Sequence, residues 1–101
     1  MIPQALNDVV QSIRAFGDIP ATYSVLTNLE KETAYTHLIL VNTTDQPVTL
    51  KFLNSAKTVE LQVDANMSIT LDNFPHWDVI LYKYTSAAPT SGFFQQISWG
   101  G

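Results

Sequence analysis

Between His37 and Tyr84, apolar and polar side chains alternate in short runs separated by turn residues. Val48, Leu50 and Phe52 alternate with Thr49 and Lys51. Val59, Leu61 and Val63 alternate with Glu60 and Gln62, and Met67, Ile69 and Leu71 with Ser68 and Thr70. A period of two sends successive side chains to opposite faces, so each run predicts a strand with one buried and one wet face. Several such strands at regular spacing predict an all-β fold, an antiparallel β-sandwich of about seven strands.

The remaining strands follow from the same signals. Residues 22–29 predict a first strand with Tyr23, Val25 and Thr27 on one face, and residues 35–41 a second. The second ends in Leu38-Ile39-Leu40-Val41, apolar on both faces and therefore central or covered twice. The turn-rich Asn42-Thr43-Thr44-Asp45-Gln46-Pro47 leads to strands at 48–53, 57–63 and 67–72, with Asn54-Ser55-Ala56 and Asp64-Ala65-Asn66 as the intervening turns. A sixth strand is predicted at 77–84 and a last one at 93–99, after a loop running from Ser86 to Gly92. Val79-Ile80-Leu81-Tyr82 is again apolar on both faces, which predicts a cover over its outward side.

Residues 4–16 break the pattern. Leu6, Val9, Val10, Ile13 and Phe16 fall on one helical stripe, Pro3 suits a first helical turn, and Gly17 followed by Pro20 is a stop signal. The prediction is a short N-terminal amphipathic helix. So short a helix is marginal in water, so its stripe must dock on the sandwich or on a neighbouring subunit. The chain is then a single domain, 1–101, with 1–20 as an N-terminal helix or arm and 21–101 as the sandwich.

Composition narrows the function more than the fold. At 101 residues, the chain buries on the order of 65% of its unfolded surface. Its residues are 46% hydrophobic and only 14% charged, which leaves apolar surface to spare for contacts with other chains. The net charge is −4 and no basic cluster exists, so nucleic acid is not an expected partner. Cysteine is absent, which excludes disulfides, thiolate catalysis and cysteine zinc sites. The N-terminus has no basic region followed by an apolar run, and no stretch approaches the roughly 20 apolar residues of a membrane span. The expectation is a soluble product made in a cytoplasm, with no membrane partner.

No cluster announces a chemistry. His37 and His76, with Asp72 and Asp78 as the nearest carboxylates, lack metal-ligand spacing, so no metal or cofactor is expected. The acids are scattered over turns and wet strand faces, and neither a nucleophile elbow nor a glycine-rich phosphate loop is present, so no catalytic residues are assigned. The sequons Asn42-Thr43-Thr44 and Asn66-Met67-Ser68 read as chance matches. Aromatic residues crowd into the last quarter, including Trp77, Tyr82, Tyr84, Phe93, Phe94 and Trp99. Such residues fill cores and subunit interfaces, and on an exposed face they stack sugar rings.

Val41-Asn42-Thr43-Thr44-Asp45, Val48-Thr49-Leu50-Lys51-Phe52, Asp64-Ala65-Asn66-Met67-Ser68-Ile69-Thr70-Leu71-Asp72 and Ala88-Pro89-Thr90-Ser91-Gly92 together resemble segments of small structural proteins of tailed bacteriophages. The resemblance covers about residues 35–101 and rests on turn motifs. It implies a non-enzymatic virion component, in its most specific form a capsid decoration protein that reinforces the assembled shell. The implied partners are further copies of the chain, as a trimer or higher oligomer, and a major capsid or other virion protein. Interfaces of this kind draw their energy from a few aromatic and aliphatic anchors, so the candidate contact residues are Trp77, Tyr82, Phe94 and Trp99, with Leu6, Val9, Ile13 and Phe16 as a second set. The alternatives are a head–tail or tail-fibre adaptor of the same fold, or a module binding a surface glycan through Phe74 and Trp77.

Overall fold

Pleated runs with turn residues between them pair antiparallel wherever the chain can double back, and here they do so throughout the described residues. The computed structural model describes residues 10–28, 37–54, 57–72 and 78–99. Among these residues eight strands are formed: β1 (Val10–Ala15), β2 (Ser24–Asn28), β3 (His37–Asn42), β4 (Val48–Leu53), β5 (Thr58–Val63), β6 (Met67–Asp72), β7 (Val79–Tyr84) and β8 (Phe93–Trp99). They make two four-stranded antiparallel sheets, β1-β8-β3-β6 (sheet 1) and β2-β7-β4-β5 (sheet 2). The pairs β1:β8, β2:β7, β3:β6 and β4:β5 are those of one long hairpin folded on itself. Pairing of β3 with β8 and of β4 with β7 then rolls that hairpin into a jelly roll. The shortest dimension is 19 Å, the thickness of two sheets about 10 Å apart with their outward side chains.

The seven predicted strands are present, with β4, β6 and β8 at the predicted limits. The N-terminal helix is not. Its C-terminal half is strand β1, followed by a single 3-10 turn at Phe16–Asp18, and its first half lies outside the described residues. The residues 10–15 are Val-Gln-Ser-Ile-Arg-Ala, with two β-branched residues. They complete the backbone ladder of β8, from Val10↔Ser98 to Ala15↔Phe93. Ladder bonds to a waiting strand outweigh a marginal helix, so the division into an arm and a sandwich at residue 20 dissolves: β1 is a strand of sheet 1.

The core forms where the inner faces meet. Leu38 and Leu40 of β3 and Phe94 of β8 face Val48, Leu50 and Phe52 of β4 and Ile80 and Tyr82 of β7, with Leu26, Ile19 and Val63 closing the ends. Burying each of these side chains contributes about 1.5–3 kcal/mol. The β1 side of the inner face is polar instead. Ser12, Gln96 and Ser98 are buried there, and Arg14 reaches across to the Leu26 carbonyl of β2, with N···O 2.9 Å. A register shift between Val25 and Thr27 presents that carbonyl to both Arg14 and the Ser12 hydroxyl. Polar bonds therefore close this margin, while β5 and β6 leave Val59 and Met67 partly open at the other.

One end of the sandwich is tied by a polar knot. Buried Asn42 donates through Nδ2 to the carbonyls of Gln46 (2.9 Å) and Val63 (3.0 Å), and its Oδ1 accepts from the Thr44 amide and hydroxyl. Asp45 accepts from the amide (2.8 Å) and the hydroxyl of Thr90, and Thr43 exchanges bonds with the Phe93 backbone. Gly92 passes so close to the Thr43 carbonyl, at φ +89°, that a Cβ would overlap it. The turn motifs at 41–45 and 88–92 thus bind one another. Asn66, at φ 58°, turns β5 into β6 in the left-handed region that asparagine tolerates.

Candidate interaction surface

With the inner faces consumed by the core, chemistry or docking must use the outer faces, the loops or the margins. Among the described residues no ligand-sized cavity exists and no three His, Asp or Glu side chains converge. No helix there is long and apolar enough to cross a membrane. Attention falls on the two outer faces, which differ sharply.

The outer face of sheet 1 is built from alternate residues whose order the registers give row by row. Trp99, His37 and Asp72 form the first row, Gln11, Ile97, Ile39 and Thr70 the second, and Ile13, Gln95, Val41 and Ser68 the third. Ala15 and Phe93 complete the far corner. Among the described residues Asp72 is the only formal charge on this face, and it sits at a corner. There its Oδ1 lies 3.1 Å from His37 Nδ1, and the imidazole stacks on Trp99 at 5.2 Å between ring centres. Ile13 is 47% exposed and Phe93 51%, while Ile39, Val41, Ile97 and Trp99 are half-buried by their neighbours. A sheet face that sets isoleucine, valine and aromatic side chains among the uncharged Gln11, Gln95, Ser68 and Thr70, with no lysine or glutamate on it among the described residues, lacks the usual guard against association.

The outer face of sheet 2 is guarded. Lys51 and Lys83 both lie over the Tyr23 ring, at 4.2 and 5.7 Å from its centre, and the Tyr23 hydroxyl donates to Glu60 at 3.3 Å. Tyr23 thereby spans the face from β2 to β5. Burial, then the charge and hydrogen bond of Glu60, raise its phenol above the ordinary tyrosine range.

The contact residues expected from sequence scatter accordingly. Ile13 and Trp99 lie on the outer face of sheet 1, and Phe16 is exposed just beyond β1. Tyr82 and Phe94 belong to the core, and their assignment as contact anchors is corrected. Phe94 is fully buried, and the Tyr82 hydroxyl donates to the Asp18 carbonyl at 2.8 Å. Period two explains this, since Phe94 and Trp99 are five residues apart in one strand and must face opposite ways. Leu6, Val9, Phe74, His76 and Trp77 lie outside the described residues. Phe93, Ile97, Ile39 and Val41 were missed as surface residues. Asn42 of the first sequon is buried with its amide hydrogens engaged, so it cannot accept a glycan in the folded chain.

No family model matches the sequence, and no curated protein matches it. A solved structure of Bacillus endospore appendages, which form a family of disulfide-linked pili, shares the fold. The TM-score is 0.64 over 91% of this chain and 84% of that one, at 22% identity.

Proposed function

We propose that this chain is a non-enzymatic structural subunit that works by docking, with capsid decoration of a tailed-phage virion as its setting. The observation that carries the docking reading is the outer face of sheet 1, rich in isoleucine, valine and aromatic side chains and, among the described residues, uncharged except at one corner. In solution such a face costs solubility, and its counterpart on sheet 2 shows that the fold can carry charges when they are useful. The virion setting is supported by the resemblance of the turn segments. A second reading, a subunit of a surface fibre, is supported by the shared fold of the pilus chain. With no cysteine, such a fibre would have to hold together without disulfides.

The test is the mass of the purified full-length protein, by size exclusion with light scattering. A defined oligomer is expected, and a monomer at every concentration overturns the assembly reading. Copy number per purified particle then separates the settings. Decoration implies hundreds of copies, and an adaptor ring about a dozen or fewer.

A further inference from the structure

We infer that the outer face of sheet 1 is covered by the same face of a second copy, in a two-fold, face-to-face pair. This rests on the assembly reading above and names the surface and the partner.

Area, charge and symmetry argue for it. Four strands about 4.8 Å apart and mostly six residues long present a patch of roughly 19 by 20 Å. With side-chain relief, two such patches bury on the order of 1,000 Å² in total, the lower bound for a specific interface. The pair is therefore sufficient but weak, forming over micromolar concentrations. The face is also self-compatible. Among the described residues its one carboxylate, Asp72, sits at a corner on β6, so a two-fold axis lying between the faces and running along the strands between β8 and β3 sets each copy of it over the partner's β1 edge, away from the other. The centre holds Ile39, Val41, Ile97 and Gln95. Among the described residues Gln95 makes no side-chain hydrogen bond. Two glutamine side chains reaching from opposite sheets span a gap of about 10 Å and can pair amide to amide. Docking sheet 2 here instead would bury Lys51 and Lys83 against isoleucine and valine, which supply no counter-charge.

A cysteine-free chain makes the test direct. Three variants are compared with the full-length parent by light scattering across concentration: Phe93→Lys on this face, Val25→Glu on the outer face of sheet 2, and Gln95→Cys at the centre. Phe93 and Val25 are both more than half exposed, so neither change threatens folding, which circular dichroism checks. The expected result is a concentration-dependent dimer in the parent and in Val25→Glu. Phe93→Lys is expected to raise the midpoint concentration about tenfold or more. Gln95→Cys, treated with a short bis-maleimide, is expected to give a covalent dimer. A parent that self-associates while Phe93→Lys changes nothing overturns the face but leaves the assembly reading standing. A trimer, or an oligomer in which Gln95→Cys does not cross-link, overturns the two-fold arrangement. A parent that stays monomeric overturns both.

Discussion

Single residues at the knotted end of the sandwich set its stability through backbone geometry. Gly92 combines φ +89° with a position where a Cβ would strike the Thr43 backbone. Gly92→Ala is therefore expected to destabilise the fold by about 2–3 kcal/mol, since a positive φ and an overlap against main chain act together. Urea denaturation measures it; a loss under half a kcal/mol would mean that the loop relaxes freely. Asp45 supplies a pH-dependent counterpart. The Thr90 hydroxyl and then the Thr90 amide donate to its carboxylate and hold its pKa below the ordinary 3.8. A depressed folded pKa stabilises the fold above the unfolded value and loses that contribution as pH falls through the folded one. Between neutral pH and about pH 5 it adds no slope; below that it makes stability fall with acid. Asp45→Asn should flatten this part of the acid limb in melts recorded from pH 5 downwards. Superimposable acid limbs would show that the Thr90 bonds do not persist in solution.

At the scale of elements, β8 shows both what was legible and what was not. Its limits follow from the turn residues before it and the aromatic and isoleucine content within it. Its facing does not. The inner residues Gln96 and Ser98 are polar and the outer Ile97 and Trp99 apolar, so alternation alone turns the strand inside out. The same inversion holds in β1, where Ser12 and Arg14 face inward and Ile13 outward. Such strands mislead because the pattern reports where apolar side chains are, and only pairing decides which side becomes the core. By contrast β4, with Val48, Leu50 and Phe52 in strict alternation, was readable in both position and facing. The helix assigned to residues 4–16 failed for a related reason, since a three-and-four spacing over so few residues also fits a strand with an apolar outer face. The polar lining has a measurable cost. Gln96 spends its amide nitrogen on the Ser98 hydroxyl, and its Oε1 has no partner among the described residues. A buried acceptor left unpaired costs about 1–3 kcal/mol. Removing both polar groups together, as Gln96→Met with Ser98→Ala, is expected to raise stability by about 1 kcal/mol in urea unfolding. Destabilisation would reveal a partner for Oε1 that the folded chain supplies in solution.

At the scale of the molecule, the two outer faces predict opposite responses to salt. The chain carries nine acidic and five basic residues, and Lys51 and Lys83, two of the three described lysines, share the outer face of sheet 2. A contact made by that face against acidic surface would be Coulombic, and screening would dissolve it. Contact through sheet 1 has almost no charge to screen, because its centre is isoleucine, valine and glutamine. Shortening the screening length from about 14 Å at ~0.05 M to about 3 Å at ~1 M sodium chloride should leave the dimerisation constant unchanged. Sulfate at equal ionic strength should strengthen it, because excluded salts favour burial of apolar surface. Both are read from concentration-dependent light scattering. A tenfold loss of association across the chloride series would move the interface to Lys51 and Lys83. An unchanged or rising constant would leave the apolar face as the surface through which copies meet, with Lys51, Lys83 and Glu60 turned outward on both sides of the pair. Those outward faces would then be the ones available to a second partner, whose binding should carry the salt dependence that pairing lacks.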